Sequence, residues 1–220
     1  MKTHARRPRS WTAPLDAMRN YFREARVIRE WRKAGSIAPP PPVLKQQVVR
    51  GYGARFALPT LVETGTFTGE MIYAVERQFR EIHSIELGRD LFEAARRRFA
   101  AFAHVHLHHG DSATVLPELL ETLPPPVLFW LDGHYSEGIT ARGEKNTPIV
   151  AELEAIHRHH PTAHVILIDD ARLFTGANDY PSFDQLRRLV KGWSPDALVE
   201  VSDDIIRLHS PKTSGSKAPT

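Results

Sequence analysis

Carboxylates recur in this chain where they could grip a ligand. Glu63 closes the apolar run Leu61-Val62 and is followed by Thr64-Gly65-Thr66-Phe67-Thr68-Gly69. Glu86 closes Glu81-Ile82-His83-Ser84-Ile85-Glu86, and Asp111-Ser112 follows His109-Gly110. Asp132-Gly133-His134-Tyr135 follows the apolar Val127 to Leu131, and Asp169-Asp170 follows the apolar Val165 to Ile168. Glycine tolerates positive φ and close approach of its backbone, and a helix N-terminus leaves N–H groups unpaired. The turn with Gly65 and Gly69, leading into the helical pattern Met71, Ile72, Val75, can therefore hold the polar end of a nucleotide-like ligand. An acid about 20 residues after such a turn, as Glu86 is, can accept both hydroxyls of a ribose. Asp111 with Ser112 could bond the exocyclic amine of an adenine. Any one of these acids alone can be a plain helix cap or loop residue. The complete set, one after every strand, is hard to account for that way.

These positions depend on an alternation of strands and helices from residue 58 onward. Strands are expected at 60–64, 81–86, 104–108, 127–131 and 164–168, with helices at 70–78, 89–102, 113–120, 148–158 and 183–190. The runs 127–131 and 164–168 are apolar throughout, as strands buried on both faces are. Segments 197–201 and 204–208 read as a closing hairpin. The fold class expected is α/β: a doubly wound, mostly parallel seven-stranded sheet with an antiparallel C-terminal hairpin and an N-terminal helical arm. Ligands in such sheets bind beyond the carboxyl ends of the strands.

The organisation expected is a basic arm and Pro-rich linker over 1–42, one α/β domain over 43–209 and a disordered tail over 210–220. Within the arm, Leu15, Met18, Phe22, Ala25, Ile28 and Trp31 recur at helical spacing with arginines between them. Such a face packs on the domain or on a second subunit, so a homodimer through the arm is one expectation. Residues 1–33 carry a net charge of +7 while the whole chain carries +3, so the main domain is slightly acidic. That weakens any argument for a nucleic-acid-binding core. The absence of cysteine excludes disulfides and thiolate metal sites. With no apolar run long enough to span a membrane, cytoplasmic placement is the default expectation.

The turn reads Gly65-x-x-x-Gly69 without G-x-G-x-x-G spacing, and Glu63 lies directly upstream, which disfavours a pyrophosphate dinucleotide. Glu63-Thr64-Gly65-Thr66-Phe67-Thr68-Gly69, Glu86 and Gly110-Asp111-Ser112 resemble the cofactor motifs of class I S-adenosylmethionine-dependent methyltransferases over about residues 58–209. By that resemblance Glu63, Thr64, Gly65, Thr66 and Gly69 line the methionine end, Glu86 the ribose, and Asp111 with Ser112 the adenine, with Asp132 closing the cofactor site. Leu131-Asp132-Gly133-His134-Tyr135 and Ile168-Asp169-Asp170 are similar to the metal-binding segments of macrocin-type O-methyltransferases and cephalosporin-hydroxylase-like proteins. There, Asp132, Asp169 and Asp170 would hold Mg²⁺. Close carboxylates repel unless a cation bridges them, and all-oxygen ligation suits magnesium. The activity implied is metal-assisted O-methylation of a small hydroxylated molecule, with Asp132 and His134 as the catalytic pair and His134 as the base. The macrocin-type pattern carries a second acid where this chain has His134, and many methyltransferases carry a third glycine where it has Thr66.

Three other readings stay open: a cofactor-binding protein of the same fold without catalysis, an NAD(P)-dependent oxidoreductase, and an RNA methyltransferase to which the basic arm would deliver nucleic acid. Ser136 to Lys145 reads as a polar lid beside the metal segment. His104, His106 and His108 alternate on one face of a strand, which fits an edge strand with a polar face better than a metal site.

Overall fold

The structure is a computed structural model that describes residues 13–133, 147–159 and 164–211. His134, the whole of the expected lid, residues 1–12 of the expected arm and residues 212–220 of the expected tail lie outside the described residues. In chain order the elements are α1 (Ala13–Lys33), α2 (Pro42–Arg55), β1 (Thr60–Thr64), α3 (Glu70–Val75), β2 (Glu81–Glu86), α4 (Arg89–Arg98) and β3 (Val105–His109). They continue with α5 (Ser112–Leu120), β4 (Val127–Leu131), α6 (Ile149–His159), β5 (Val165–Ile168), α7 (Phe183–Trp193), β6 (Leu198–Ser202) and β7 (Ile205–His209).

The seven strands form one sheet in the order β3-β2-β1-β4-β5-β7-β6. The first five strands run parallel, and β7 joins β5 and β6 antiparallel. This is the doubly wound sheet with a closing hairpin that the alternating pattern predicts. The strand order reverses between β1 and β4, where ligands of open α/β sheets bind.

The apolar pattern decides the layers. Side chains alternate across a strand, so Val62, Phe129, Leu131 and Ile168 share one face with Leu116, Leu153, Ile156 and Leu186 from α5, α6 and α7. Leu61, Leu128, Trp130 and Leu167 share the other with Val49, Ile72, Val75 and Ala95 from α2, α3 and α4. Every residue of β1 and β4 is buried. Each large apolar side chain so enclosed contributes roughly 1.5–3 kcal/mol. β3 is an edge strand with partly exposed histidines, as its alternation suggests.

The arm is only half docked. Ile28 of α1 is buried, and Glu24 pairs with Arg50 of α2 at 2.9 Å. Met18, Tyr21 and Phe22 stand exposed. Among the described residues the apolar stripe expected from the sequence therefore splits, with Ile28 packed on the domain and Met18 and Phe22 exposed.

Candidate active site

Main-chain bonds stitch the residues after the strands into one rim. The N–H groups of Gly65, Gly110, Asp132 and Asp169 donate to the carbonyls of Ile85, Glu86, Thr64 and Leu131, at 2.9–3.0 Å. Each bond continues a parallel ladder one residue beyond the strand, so the acids leave the sheet along a common edge.

The turn after β1 takes the backbone that its glycines permit: φ is 87° at Gly65 and 76° at Gly69. The close approaches are to protein. A Cβ on Gly65 would lie 2.6 Å from the carbonyl oxygen of Asp132, and one on Gly69 would lie 2.5 Å from the Phe99 ring. Gly65 thus lets β1 and β4 converge at the strand-order reversal. Glu86 curls back onto this turn, its Oε2 accepting the N–H of Phe67 and its Oε1 the N–H of Gly88, both at 2.8 Å. The Thr64 hydroxyl is buried in the same place and completes no hydrogen bond of ordinary geometry, although it helps to hold the Glu152 carboxyl down. A weakly engaged hydroxyl, a positive-φ turn and a carboxylate bent over it fit the polar and ribose parts of an adenosyl group.

Glu63 is turned inward. Ser84 donates to its Oε2 at 2.5 Å, and Thr66 in turn shares a 2.6 Å bond with Ser84. Burial pushes the Glu63 carboxyl up to about 8, against the hydrogen bond from Ser84. Asp111 caps α5 through Oδ1, which accepts from Ala113 N–H at 2.9 Å. The Ser112 hydroxyl is directed into the protein, where it donates to Glu152 Oε1 at 2.6 Å. Of the adenine pair expected from the sequence, Ser112 is engaged elsewhere through its side chain.

The three aspartates expected to hold a metal lie at the neighbouring ends of β4 and β5, but a lysine is already among them. Lys45 of α2 donates to Asp169 Oδ2, and its Nζ lies 3.6 Å from Asp170 Oδ1. Asp170, in the left-handed region at φ 56°, also accepts from Arg172 Nη1 at 2.7 Å. Arg172 is tied in turn to Asp204. Among the described residues, the trio whose ligand atoms lie within 4.8 Å of one another is Glu81, His83 and His106, not these aspartates. The donor chemistry suits magnesium, but the geometry does not, because the ammonium supplies the positive charge.

Asp132 is the electrostatic centre. Its charge acts on Glu63, Glu152, Asp169, Tyr180 and Lys45. Burial, with Asp132 adding, pushes Asp169 up to about 7 despite Lys45. Burial lowers the Lys45 ammonium, and Asp169, Asp132 and Asp170 more than reverse this, so it stays charged. Burial raises Glu152 to about 7 and Tyr180 to about 12. Asp132, Gly133, Glu152, Asp169, Phe174 and Tyr180 line a cleft at this rim.

Lys45, Glu152 and Tyr180 escape a reading of the sequence alone. Glu152 leaves a signal: it is an acid on the buried stripe Ile149, Leu153, Ile156 of α6. Lys45 leaves none, since a lysine on a helix with little amphipathic character reads as a solvated residue.

No protein-family model matches the chain, and no curated protein matches it. Solved structures do. The O-methyltransferase TomG from Streptomyces achromogenes, involved in tomaymycin synthesis and crystallised with S-adenosylmethionine (SAM), is 17% identical, with a TM-score of 0.54 over 84% of this chain and 87% of its own. An O-methyltransferase from Bacillus cereus, in complex with S-adenosylhomocysteine (SAH), is 14% identical, with a TM-score of 0.56 over 85% and 90%. The SAH-bound Podospora anserina methyltransferase PaMTH1 is 16% identical, with a TM-score of 0.53 over 94% and 99%. The chain therefore has the Rossmann-like fold of SAM-dependent methyltransferases.

Proposed function

We propose that this protein is an S-adenosylmethionine-dependent methyltransferase acting on the oxygen of a small hydroxylated molecule. The observation that carries the reading is Glu86, at the end of β2, bent onto the positive-φ turn after β1. A carboxylate held there by two main-chain N–H groups keeps lone pairs for the hydroxyls of a ribose. Asp111 keeps its second oxygen for an adenine amine while Oδ1 caps α5. The fold shared with SAM- and SAH-bound methyltransferases supports the same assignment.

Glu86, Asp111 and the Gly65 turn would hold the cofactor, which would supply a methyl group on a positively charged sulfur as the electrophile for a substrate oxygen, with the neutral thioether SAH as the leaving group. The chain's own residues align and deprotonate that oxygen. Asp169, raised to about 7, is matched to accept a hydroxyl proton near neutral pH. Lys45 beside it stabilises negative charge developing on the oxygen. This gives Lys45 the electrostatic part that the macrocin-type resemblance assigns to magnesium, and no step is drawn through a metal. His134, the base expected from the sequence, directly follows the described rim residues Asp132 and Gly133.

The test is calorimetric titration with SAH and with NADH, followed by methyl transfer to a panel of phenols, catechols and sugars. SAH binding with turnover supports the assignment. SAH binding without turnover on any hydroxylated acceptor points to a cofactor-binding protein, and tight NADH binding without SAH binding points to an oxidoreductase.

We also propose a homodimer through the arm, because Met18, Tyr21 and Phe22 stand exposed among the described residues of α1, one helical turn apart.

A further inference from the structure

A second group of side chains, at the opposite end of β2 from Glu86, has the composition of a transition-metal site. β2 and β3 pair in parallel with His83 opposite His106. Glu81 lies two residues before His83 on the same face of β2. The three residues can place one ligand atom each within 4.8 Å of the others. Two ligands bound at about 2.1 Å to a common tetrahedral ion stand about 3.4 Å apart, so closure needs only a modest movement. The members that must move can do so, since Glu81 and His106 are exposed.

His83 is the fixed member. It is only 8% exposed, and its Nε2 is buried without a hydrogen-bond partner, the nearest carboxylate oxygen being Glu81 Oε2 at 3.5 Å. The other nitrogen is held: Nδ1 lies 3.1 Å from His108 Nε2. In the tautomer whose Nδ1–H donates to His108, the Nε2 lone pair is directed towards Glu81 Oε2, and a cation between the two would satisfy both. A ligating histidine ordinarily has its second nitrogen oriented by such a hydrogen bond. The His83 and His106 rings stack, with centroids 4.7 Å apart. The groups acting on His83 are His106, His108 and Glu81, with no lysine or arginine among them. Burial and the two histidines keep His83 neutral, the form that ligates.

We infer that Glu81, His83 and His106 bind a divalent transition metal, zinc being the type, at the sheet edge between β2 and β3. Two imidazoles and one carboxylate suit zinc over magnesium or calcium, and they leave a fourth position for water. Five residues along β2, about 16 Å, separate Glu81 from the Glu86 end. The ion therefore fastens the edge strand to its neighbour and takes no part in the cleft.

The test uses untagged full-length protein, with Zn²⁺ in calorimetry and Co²⁺ as a visible-absorption probe. The wild type takes up one equivalent at this site, showing low-symmetry Co²⁺ bands that Zn²⁺ displaces, and Zn²⁺ raises its melting temperature. His106→Ala and Glu81→Gln, both at exposed positions, each weaken binding at least tenfold and abolish the Zn²⁺-dependent rise, while melting like wild type without metal. Asp169→Asn leaves binding unchanged. The inference is overturned if wild type binds neither ion, if both exposed-site variants bind as tightly as wild type, or if Asp169→Asn removes the binding.

Discussion

Lys45 of α2 donates a hydrogen bond to Asp169 at the end of β5, across 124 residues of sequence. The contact fastens the helix before the first strand to the rim where the acids gather. It places a permanent cation where three aspartates would otherwise repel one another.

Removing that cation leaves a nearly buried carboxylate unpaired. Lys45→Met is expected to destabilise the fold by about 3 kcal/mol at pH 8. Near pH 5 the loss shrinks, because the carboxyl, already raised, is then protonated and needs no partner. Urea unfolding of wild type and variant at the two pH values measures this. A pH-independent loss would mean that the lysine acts through packing alone.

The same pair predicts how catalysis responds to metal and pH. Prolonged dialysis against EDTA is expected to leave the methyl-transfer rate within about twofold, since no step requires an ion. The rate should rise with pH through about 7 as Asp169 ionises. Rates measured with EDTA and with added Mg²⁺ check both points. Strict Mg²⁺ dependence would restore the metal to the three aspartates.

Buried acids on the rim also set a pH dependence of stability. Glu63 and Glu152 have folded-state values raised to about 8 and about 7. The native state therefore holds more protons than the unfolded chain between about pH 4.5 and these values, so stability falls as pH rises through that window. For Glu152 the full span is on the order of 3 kcal/mol. Glu152→Gln, which keeps an acceptor for Ser112, should lose that part of the slope and be the more stable protein at pH 8. Melting temperatures from pH 5 to 8.5 decide it, and an unchanged slope would mean that Glu152 is not protonated in the native state.

How much of this is legible in the sequence depends on range. β4 and β5 are legible because a continuous apolar run ending in acids matches a doubly buried strand and little else. Glu86 is legible because its distance from the Gly65 turn is set by one βαβ unit. The Ser112 side chain is less legible: Asp111 beside it caps α5, as an acid before a helix does, while the Ser112 hydroxyl turns to Glu152, forty residues on. Lys45 and the His83–His106 pair are hidden for a related reason. Their significance lies in strand register and in a helix docking across the sheet, neither of which leaves a local periodicity.

Gly65 offers a test of the backbone argument. Gly65→Ala places a Cβ against the carbonyl of Asp132 in a left-handed backbone conformation. It should cost about 2 kcal/mol or more and weaken SAH binding at least tenfold. Unfolding curves and titrations that match wild type would show that β1 and β4 do not need that approach.

The exposed end of the arm makes a separate prediction. If Met18, Tyr21 and Phe22 meet a second copy, Phe22→Glu should convert a dimer to a monomer in sedimentation velocity without altering the melting of the α/β domain. A wild type that is monomeric at all concentrations contradicts the dimer.

The most direct measurement is the affinity of SAH for the wild type and for Glu86→Ala, with Glu86→Asp as the conservative control. One SAH should bind per chain, the alanine variant should bind at least tenfold more weakly, and the aspartate should recover part of the loss. Failure of the wild type to bind SAH, or an affinity unmoved by removal of the Glu86 carboxylate, would contradict the adenosyl site at this rim.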